Sequence, residues 1–170
     1  RAAFQVGKQV RAETDLCRQP VSVMSLGVQA LEAALTDRGW AHGSKPRIAL
    51  LGAGRAAKHV VQALSVTTLS IAVCANRTAE RARALGRRIG AQTTELENLI
   101  TGAEPVDALI CATGAPGVLM DTATLEEMGR KAPGELGLVG LDLALPRNLA
   151  SDGLSKRVQI LGMESLRKKA

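Results

Sequence analysis

Aromatic residues and cysteines are scarce in this chain of 170 residues, and each scarcity excludes a class of protein. Phe4 and Trp40 are the only aromatic side chains, which excludes the stacking platforms that bind single-stranded nucleic acids. The three cysteines, Cys17, Cys74 and Cys111, are an odd number without metal-ligand spacing. Two of them lie in apolar runs, so we expect small buried thiols in a reducing compartment.

Long apolar runs are also absent. No uninterrupted stretch approaches the roughly 18 residues of a membrane span, and the first residues lack a signal-peptide pattern, so we expect a soluble, cytoplasmic protein. The chain begins at Arg1 in a segment with a helical pattern, which suggests a piece of something longer.

The net charge of +6 would suit RNA or a phosphorylated cofactor. However, the basic residues occupy several segments, and solvated helix faces are the favoured interpretation.

The N-terminal quarter of the chain has a helical pattern. With 46% apolar residues, the chain is long enough for roughly one domain with a sizeable core. Apolar residues recur at helical spacing from Phe4 to Ala34, which predicts two helices with a break at Pro20 and Ser22 as the cap of the second. A glycine-containing linker occupies residues 39–46. We therefore predict a helical lead-in and linker over residues 1–45.

Beyond this linker, short apolar runs alternate with helical segments. The predicted strands are 47–51, 69–75, 106–112 and 136–141, and the predicted helices are 58–65, 78–85 and 121–130. Thr78 is the expected N-cap of the second of these helices, and Gly90 is its expected end. Such alternation requires right-handed parallel crossovers. The predicted fold class is α/β: a Rossmann-like doubly wound parallel sheet with helices on both faces over residues 46–170, preceded by N-terminal helices.

A glycine-rich turn follows the first predicted strand. Its sequence, Gly52-Ala53-Gly54-Arg55-Ala56-Ala57, fits the pattern G-x-G-x-x-G/A. Gly52 permits a tight turn, Gly54 lets the backbone approach a pyrophosphate, and Ala57 lets the helix pack closely on the strand. The phosphates would lie at the helix N-terminus. A turn without a ligand would need the same residues, but the position in the predicted sheet favours dinucleotide binding.

A second motif lies at the end of the next strand, where NAD-dependent proteins usually carry an acid for the ribose 2′-hydroxyl. This chain has Asn76-Arg77-Thr78 there. The Arg77 guanidinium would bind a 2′-phosphate through paired hydrogen bonds, and Asn76 and Thr78 would add neutral donors. Arg81, one helical turn on, could reach the same phosphate or stack on the adenine, or could be an ordinary solvated side chain. The motif predicts NADP(H) over NAD(H).

A third loop, Ala112-Thr113-Gly114-Ala115, follows the strand that contains Cys111. The carboxyl ends of such strands line the ligand crevice, so we expect this loop to contact the ribose or the nicotinamide. A plain Gly-Pro turn would explain the same residues.

Catalytic groups are scarce by comparison. The two histidines, His42 and His59, are expected at the surface, and no Ser-His-Asp, Cys-His or Tyr-x-x-x-Lys arrangement is present. We therefore predict no catalytic residue and no metal ligand, and interpret the chain as a cofactor domain without its reaction chemistry.

The three motifs, taken with others, resemble the NADPH-binding domain of the glutamyl-tRNA reductases and the helices that precede it. Residues 7–14 resemble the family's G-K-x-V-R-x-E-T helix, and residues 21–23 its V-S-V segment. The most discriminating block is D-L-A-x-P-R, which residues 142–147 match. The glycine-rich turn and the N-R-T motif are shared with shikimate dehydrogenases.

The resemblance implies an NADPH-dependent oxidoreductase that reduces glutamyl-tRNA to glutamate-1-semialdehyde, on the route to 5-aminolevulinate and tetrapyrroles such as porphyrins. In that family a cysteine of a preceding domain attacks the ester and hydride passes to the thioester, so this chain alone is expected to be inactive. The resemblance further implies a homodimer joined through a C-terminal domain, and glutamate-1-semialdehyde aminotransferase as a further partner. For this chain alone we expect at most weak, salt-sensitive tRNA binding.

Two differences from the family pattern concern the expected site. Arg55-Ala56 follows the second glycine where Glu-Met or a similar pair is frequent, and Asn148 follows Arg147 where Asp is more usual. Two other interpretations stay open: a shikimate-dehydrogenase-like NADP domain, and a non-catalytic nucleotide-binding module, since a Rossmann fold does not by itself imply a reaction.

Overall fold

Helices and strands alternate along residues 19–41 and 43–167, the part of the chain that this computed structural model describes. In chain order the elements are α1 (Gln19–Asp37), β1 (Ile48–Leu51), α2 (Arg55–Leu64), β2 (Ile71–Ala75), α3 (Ala79–Ile89), β3 (Gln92–Thr93), α4 (Leu96–Ile100), β4 (Ala108–Cys111), α5 (Thr122–Lys131), β5 (Leu138–Asp142), β6 (Val158–Gly162) and α6 (Met163–Arg167).

The six strands form one parallel sheet in the order β3-β2-β1-β4-β5-β6. Every residue of β1, β4 and β5 is buried, as expected for strands covered on both faces. The strand order reverses direction at β1, so a crevice forms between the loops that follow β1 and β4. The predicted Rossmann-like sheet is therefore confirmed.

Two apolar layers cover the sheet, one on each face. One layer joins α1 and α2 to the side chains of Ile48 and Leu50, and the other joins α4 and α5 to those of Ala49 and Leu51. Helix α1 packs closely on the end of β5 at Gly27. A Cβ added at this glycine would lie only 3.2 to 3.4 Å from the side chains of Leu141 and Leu143. The boundary at residue 45 between a helical lead-in and the Rossmann-like domain remains a prediction. In the structure, side chains of α1 pack in the same apolar core as those of the sheet.

The structure corrects several predicted boundaries at the helices. Ser22 lies inside α1, so its assignment as the cap is wrong. Pro20 is the second residue of α1, where proline is tolerated, and the residues at which a break would precede it lie outside the described part of the chain. The preceding predicted helix, with Cys17, lies outside the described residues. Thr78 stands at the N-cap position of α3 but makes no side-chain capping bond, whereas Gly90 ends α3 in the left-handed conformation as predicted.

Four elements were not predicted: β3, α4, β6 and α6. Strand β3 has only two residues, both exposed, and β6 is a partly exposed edge strand. Helices α4 and α6 have five residues each. Such short or half-exposed segments lack the apolar periodicity from which elements are predicted.

Candidate functional site

A cavity of about 390 Å³ opens at the carboxyl edge of the sheet, between the loops that follow β1, β2 and β4. The predicted site residues that line it are Gly52, Ala53, Gly54, Asn76, Arg77, Arg81, Ala112, Thr113, Gly114 and Ala115. Leu51, Leu96, Pro116 and Leu119 complete the lining. The structure thus brings the three sequence motifs together around one cavity, at the crevice where open α/β sheets bind ligands.

The remaining predicted residues lie beside this cavity. Arg55 lines a neighbouring groove between α2 and α3. Ala56 and Ala57 lie within α2, and Ala57 is completely buried, as close packing of this helix on the sheet requires. Thr78 is exposed and does not line the cavity.

The two glycines of the first turn have different surroundings. Gly52 has a φ of +115°, and a Cβ there would lie 2.4 Å from the carbonyl oxygen of Ala112. The protein backbone itself therefore requires glycine at this position. Around Gly54 an added Cβ would meet no protein atom within 4 Å. The space over Gly54 is open, as a phosphate bound close to the backbone would need.

The start of α2 is suited to an anion. Gly54 is the N-cap residue, so no side chain caps the first N–H groups, and the first turn contains no acidic residue. These N–H groups and the helix dipole both favour negative charge at this end of the helix. The turn therefore fits the pyrophosphate of a dinucleotide.

The end of β2 carries positive charge and no acid. Arg77 and Arg81 are exposed side chains that line the cavity, and no Asp or Glu belongs to its lining. The Asn76 side-chain amide donates a hydrogen bond to the Thr78 carbonyl oxygen at 3.1 Å, which holds the N-R-T turn in shape. Among the described residues, neither arginine forms an ion pair with a carboxylate. This surface fits a ribose 2′-phosphate better than an unmodified ribose.

A buried hydrogen-bond network shapes the loop after β4. The Thr113 hydroxyl donates to the Asn148 side-chain oxygen and accepts a bond from the Ala115 N–H at 3.0 Å. The Asn148 amide nitrogen donates to the carbonyl oxygens of Ala115, at 3.2 Å, and Gly117, at 2.7 Å. Because Asn148 is completely buried, these bonds are sheltered from water. One amide side chain thus holds the loop after β4.

Asp142 in turn holds Asn148 in place. Its carboxylate is 1% exposed and accepts hydrogen bonds from the N–H groups of Ala144, Asn148 and Leu149 at 2.9 to 3.1 Å. Three backbone donors offset the cost of burying this charge. Sequence reasoning matched Asp142 to a family block but missed its connection to the loop after β4. In the sequence, Asp142 directly follows the predicted strand 136–141, which places it at the carboxyl edge of the sheet but does not identify its partners.

The two described cysteines are buried thiols, as predicted. Burial raises the pKa of Cys74. For Cys111, burial and then the nearby charge of Asp142 raise the pKa far above its ordinary value, against a smaller opposite effect of the hydrogen bond with Thr113. Both side chains are therefore protonated at neutral pH, and neither is a nucleophile there.

We expect this burial to control thiol reactivity. The test uses a Cys17→Ser variant, which removes the cysteine outside the described residues. When dithiobis(nitrobenzoate) is added to the folded variant, no thionitrobenzoate should be released on the timescale on which a free thiol reacts. Both remaining thiols should react after unfolding in urea. Rapid reaction of one thiol in the folded protein would contradict the burial of Cys74 or Cys111.

Among residues 19–41 and 43–167, no three histidine, cysteine or acidic side chains are placed to hold a metal ion. No helix in these ranges has the length and apolar character needed to cross a membrane.

The fold and the cavity define a class of protein, the Rossmann-type domains that bind nicotinamide dinucleotides. Residues 35–168 match the family model described as shikimate / quinate 5-dehydrogenase. The chain belongs to this family.

Its curated relatives carry a more specific name. The glutamyl-tRNA reductase of Deinococcus radiodurans is 32% identical over 149 residues, which are 88% of this chain and 41% of that protein. The glutamyl-tRNA reductase of Archaeoglobus fulgidus is 32% identical over 167 residues, 98% of this chain and 37% of that protein. The predicted resemblance is therefore confirmed, and the chain spans about two fifths of the length of these relatives.

Glutamyl-tRNA reductases are also among the solved structures that resemble this chain. Glutamyl-tRNA reductase from Methanopyrus kandleri matches 98% of this chain and 41% of its own, with a TM-score of 0.68 and 27% identity. The nucleotide-binding domain of glutamyl-tRNA reductase from Thermoplasma volcanium matches 85% of this chain and 89% of its own, with a TM-score of 0.59. At 16% identity, the second likeness shows the fold alone.

Proposed function

We propose that this chain is the NADPH-binding part of an enzyme that reduces glutamyl-tRNA to glutamate-1-semialdehyde, in the synthesis of 5-aminolevulinate and tetrapyrroles. The observation that carries the proposal is the cavity at the switch of strand order, which contains Arg77 and Arg81 and no acidic side chain. The glutamyl-tRNA reductases at 32% identity support the choice of substrate. When bound, the reduced nicotinamide would supply the hydride.

Each motif has a separate part in this proposal. Gly54 and the first turn of α2 hold the pyrophosphate, since the space is open and the N–H groups have no side-chain cap. Arg77 and Arg81 hold the 2′-phosphate. The loop from Thr113 to Ala115, held by Asn148, borders the nicotinamide half of the dinucleotide.

The described residues bind and orient a cofactor but provide no cysteine nucleophile. Cys74 and Cys111 are buried and protonated. We therefore propose that this chain by itself has no reductase activity and needs a separate catalytic domain. A cytoplasmic homodimer that contains such a domain, with the aminotransferase as a partner, belongs to the same proposal.

The role of Arg77 is tested by a pair of arginine variants. Arg77→Ala should reduce the preference for NADPH over NADH by about tenfold, because the lost guanidinium contacts only the 2′-phosphate. Arg83→Ala is the matched control, because Arg83 lies six residues further on in α3, pairs with Glu80 and does not line the cavity. Titrations followed by nicotinamide fluorescence give both ratios. Equal effects of the two substitutions would contradict the assignment.

The family model favours a second candidate, a shikimate-type dehydrogenase. The two candidates differ in substrate: the first reduces glutamyl-tRNA, and the second oxidises shikimate. We expect no NADPH to form from shikimate and NADP⁺ when this chain is added by itself, or when it is added together with the catalytic domain of a glutamyl-tRNA reductase. Shikimate-dependent formation of NADPH would favour the second candidate.

A further inference from the structure

Basic side chains concentrate on the two helices that flank the dinucleotide cavity. Residues 52–90 contain seven lysines and arginines and one acid, Glu80, which gives this segment a net charge of +6. The rest of the chain has 15 basic and 15 acidic residues, so this segment accounts for the whole excess charge. The cationic residues are therefore less evenly spread than expected for ordinary solvated helix faces.

Four of these side chains line a groove between α2 and α3, with a volume of about 500 Å³. They are Arg55 and Lys58 of α2 and Arg81 and Arg88 of α3. The spacings of three residues on one helix and seven on the other place each pair on one helix face. Among the described residues, none of the four forms an ion pair with a carboxylate. We call this surface the basic groove.

One dinucleotide does not account for the whole of the basic groove. The groove joins the dinucleotide cavity at Ala53, Gly54 and Arg81, which line both. Arg88 lies seven residues beyond Arg81, about 10 Å further along the helix axis. The phosphates proposed for the dinucleotide lie in the cavity, which Arg88 does not line. The basic groove therefore has room and charge for further phosphates.

The chemistry of the lining favours a nucleic-acid backbone. The apolar residues of the basic groove are Ala53, Ala84 and Leu85, and it has no aromatic side chain. Its one bulky apolar side chain, Leu85, is only 5% exposed, so the groove offers little apolar surface for insertion into a membrane. It also lacks the rings on which unpaired bases stack. A row of lysine and arginine side chains matches a row of backbone phosphates.

We propose that the basic groove binds the phosphodiester backbone of the RNA substrate beside the cofactor site. We expect binding to be mainly electrostatic and independent of base sequence, because contacts to backbone phosphates carry no sequence information. The choice of RNA among polyanions rests on the proposed function, whose substrate is a tRNA. The groove would then hold the RNA against the same domain that holds the cofactor.

A matched pair of double variants of the 170-residue chain tests this proposal. Lys58→Gln with Arg88→Gln removes two charges from the groove, at residues that do not line the dinucleotide cavity. Lys156→Gln with Arg157→Gln removes two exposed charges just before β6, at the opposite, amino edge of the sheet. The probe is a fluorescently labelled glutamate tRNA transcript, titrated over a series of salt concentrations. NADPH affinity is measured separately on each protein.

The groove variant should bind the transcript at least about fivefold more weakly at low salt. The slope of its log association constant against log salt concentration should be smaller in magnitude by about 1.4 to 1.8, which is the contribution of two phosphate contacts. The control variant should lose less than about twofold, and both variants should keep their NADPH affinity.

Three results would overturn the proposal: no transcript binding by the unsubstituted chain at low salt, equal weakening in both variants, or loss of NADPH affinity in the groove variant. The last would assign the groove to the dinucleotide. The unsubstituted chain could also bind the transcript as expected but fail to bind NADPH. That result would contradict the proposed function and leave the groove proposal standing.

Discussion

Replacing Gly52 by alanine should destabilise the domain by about 3 kcal/mol or more. The φ of +115° is unfavourable for any residue with a Cβ, and the new carbon would lie 2.4 Å from the Ala112 carbonyl oxygen. Relief would require a shift of the backbone in β1 or β4, which are neighbours in the centre of the sheet. Urea denaturation followed by circular dichroism measures the loss.

Gly54→Ala is the matched control two residues away. Its φ of −86° suits alanine, and the added methyl group meets no protein atom within 4 Å. The free energy of unfolding should therefore fall by less than about 1 kcal/mol. The methyl group would, however, fill the space proposed for the pyrophosphate, so NADPH should bind at least about tenfold more weakly.

These two substitutions separate folding from binding. A Gly52→Ala protein as stable as the unsubstituted chain would contradict the described turn. A Gly54→Ala protein with unchanged NADPH affinity would place the pyrophosphate elsewhere.

The second large effect is expected at Asp142. Asp142→Ala would leave three buried N–H groups, those of Ala144, Asn148 and Leu149, without their acceptor. We expect a loss of about 3 to 5 kcal/mol in the free energy of unfolding. NADPH affinity should fall as well, because the displaced Asn148 would no longer hold the loop at Ala115.

Two further variants calibrate this result. Asp142→Asn keeps one carbonyl-type oxygen and should cost less than alanine but more than a surface change. Asp152→Ala removes an exposed carboxylate and should change the free energy of unfolding by less than about 0.5 kcal/mol. If Asp142→Ala and Asp152→Ala proved equally mild, the buried network would have no structural importance.

The fold could be predicted where strands are central and apolar. The segments that became β1, β4 and β5 are buried along their whole length, so their apolar runs are visible in the sequence. The edge strands β3 and β6 were missed because exposure removes that signal. The first turn of α1 was misassigned because Pro20 is compatible with both a break and a helix start.

The candidate site could be predicted where chemistry lies in short motifs. The spacing of Gly52 and Gly54 and the run from Asn76 to Thr78 are local patterns, and most of these residues line the cavity. The network of Asp142 and Asn148 could not be predicted, because it depends on the pairing of Cys111 with Asp142 in neighbouring strands. The basic groove depends in the same way on the packing of α2 beside α3.

The most direct test of the proposed function is calorimetric titration of the 170-residue chain with NADPH and, in parallel, with NADH. Our account predicts saturable binding of NADPH with a Kd at least tenfold below that for NADH, a difference of about 1.4 kcal/mol. Equal affinity for the two nucleotides, or no binding of NADPH, would contradict the account.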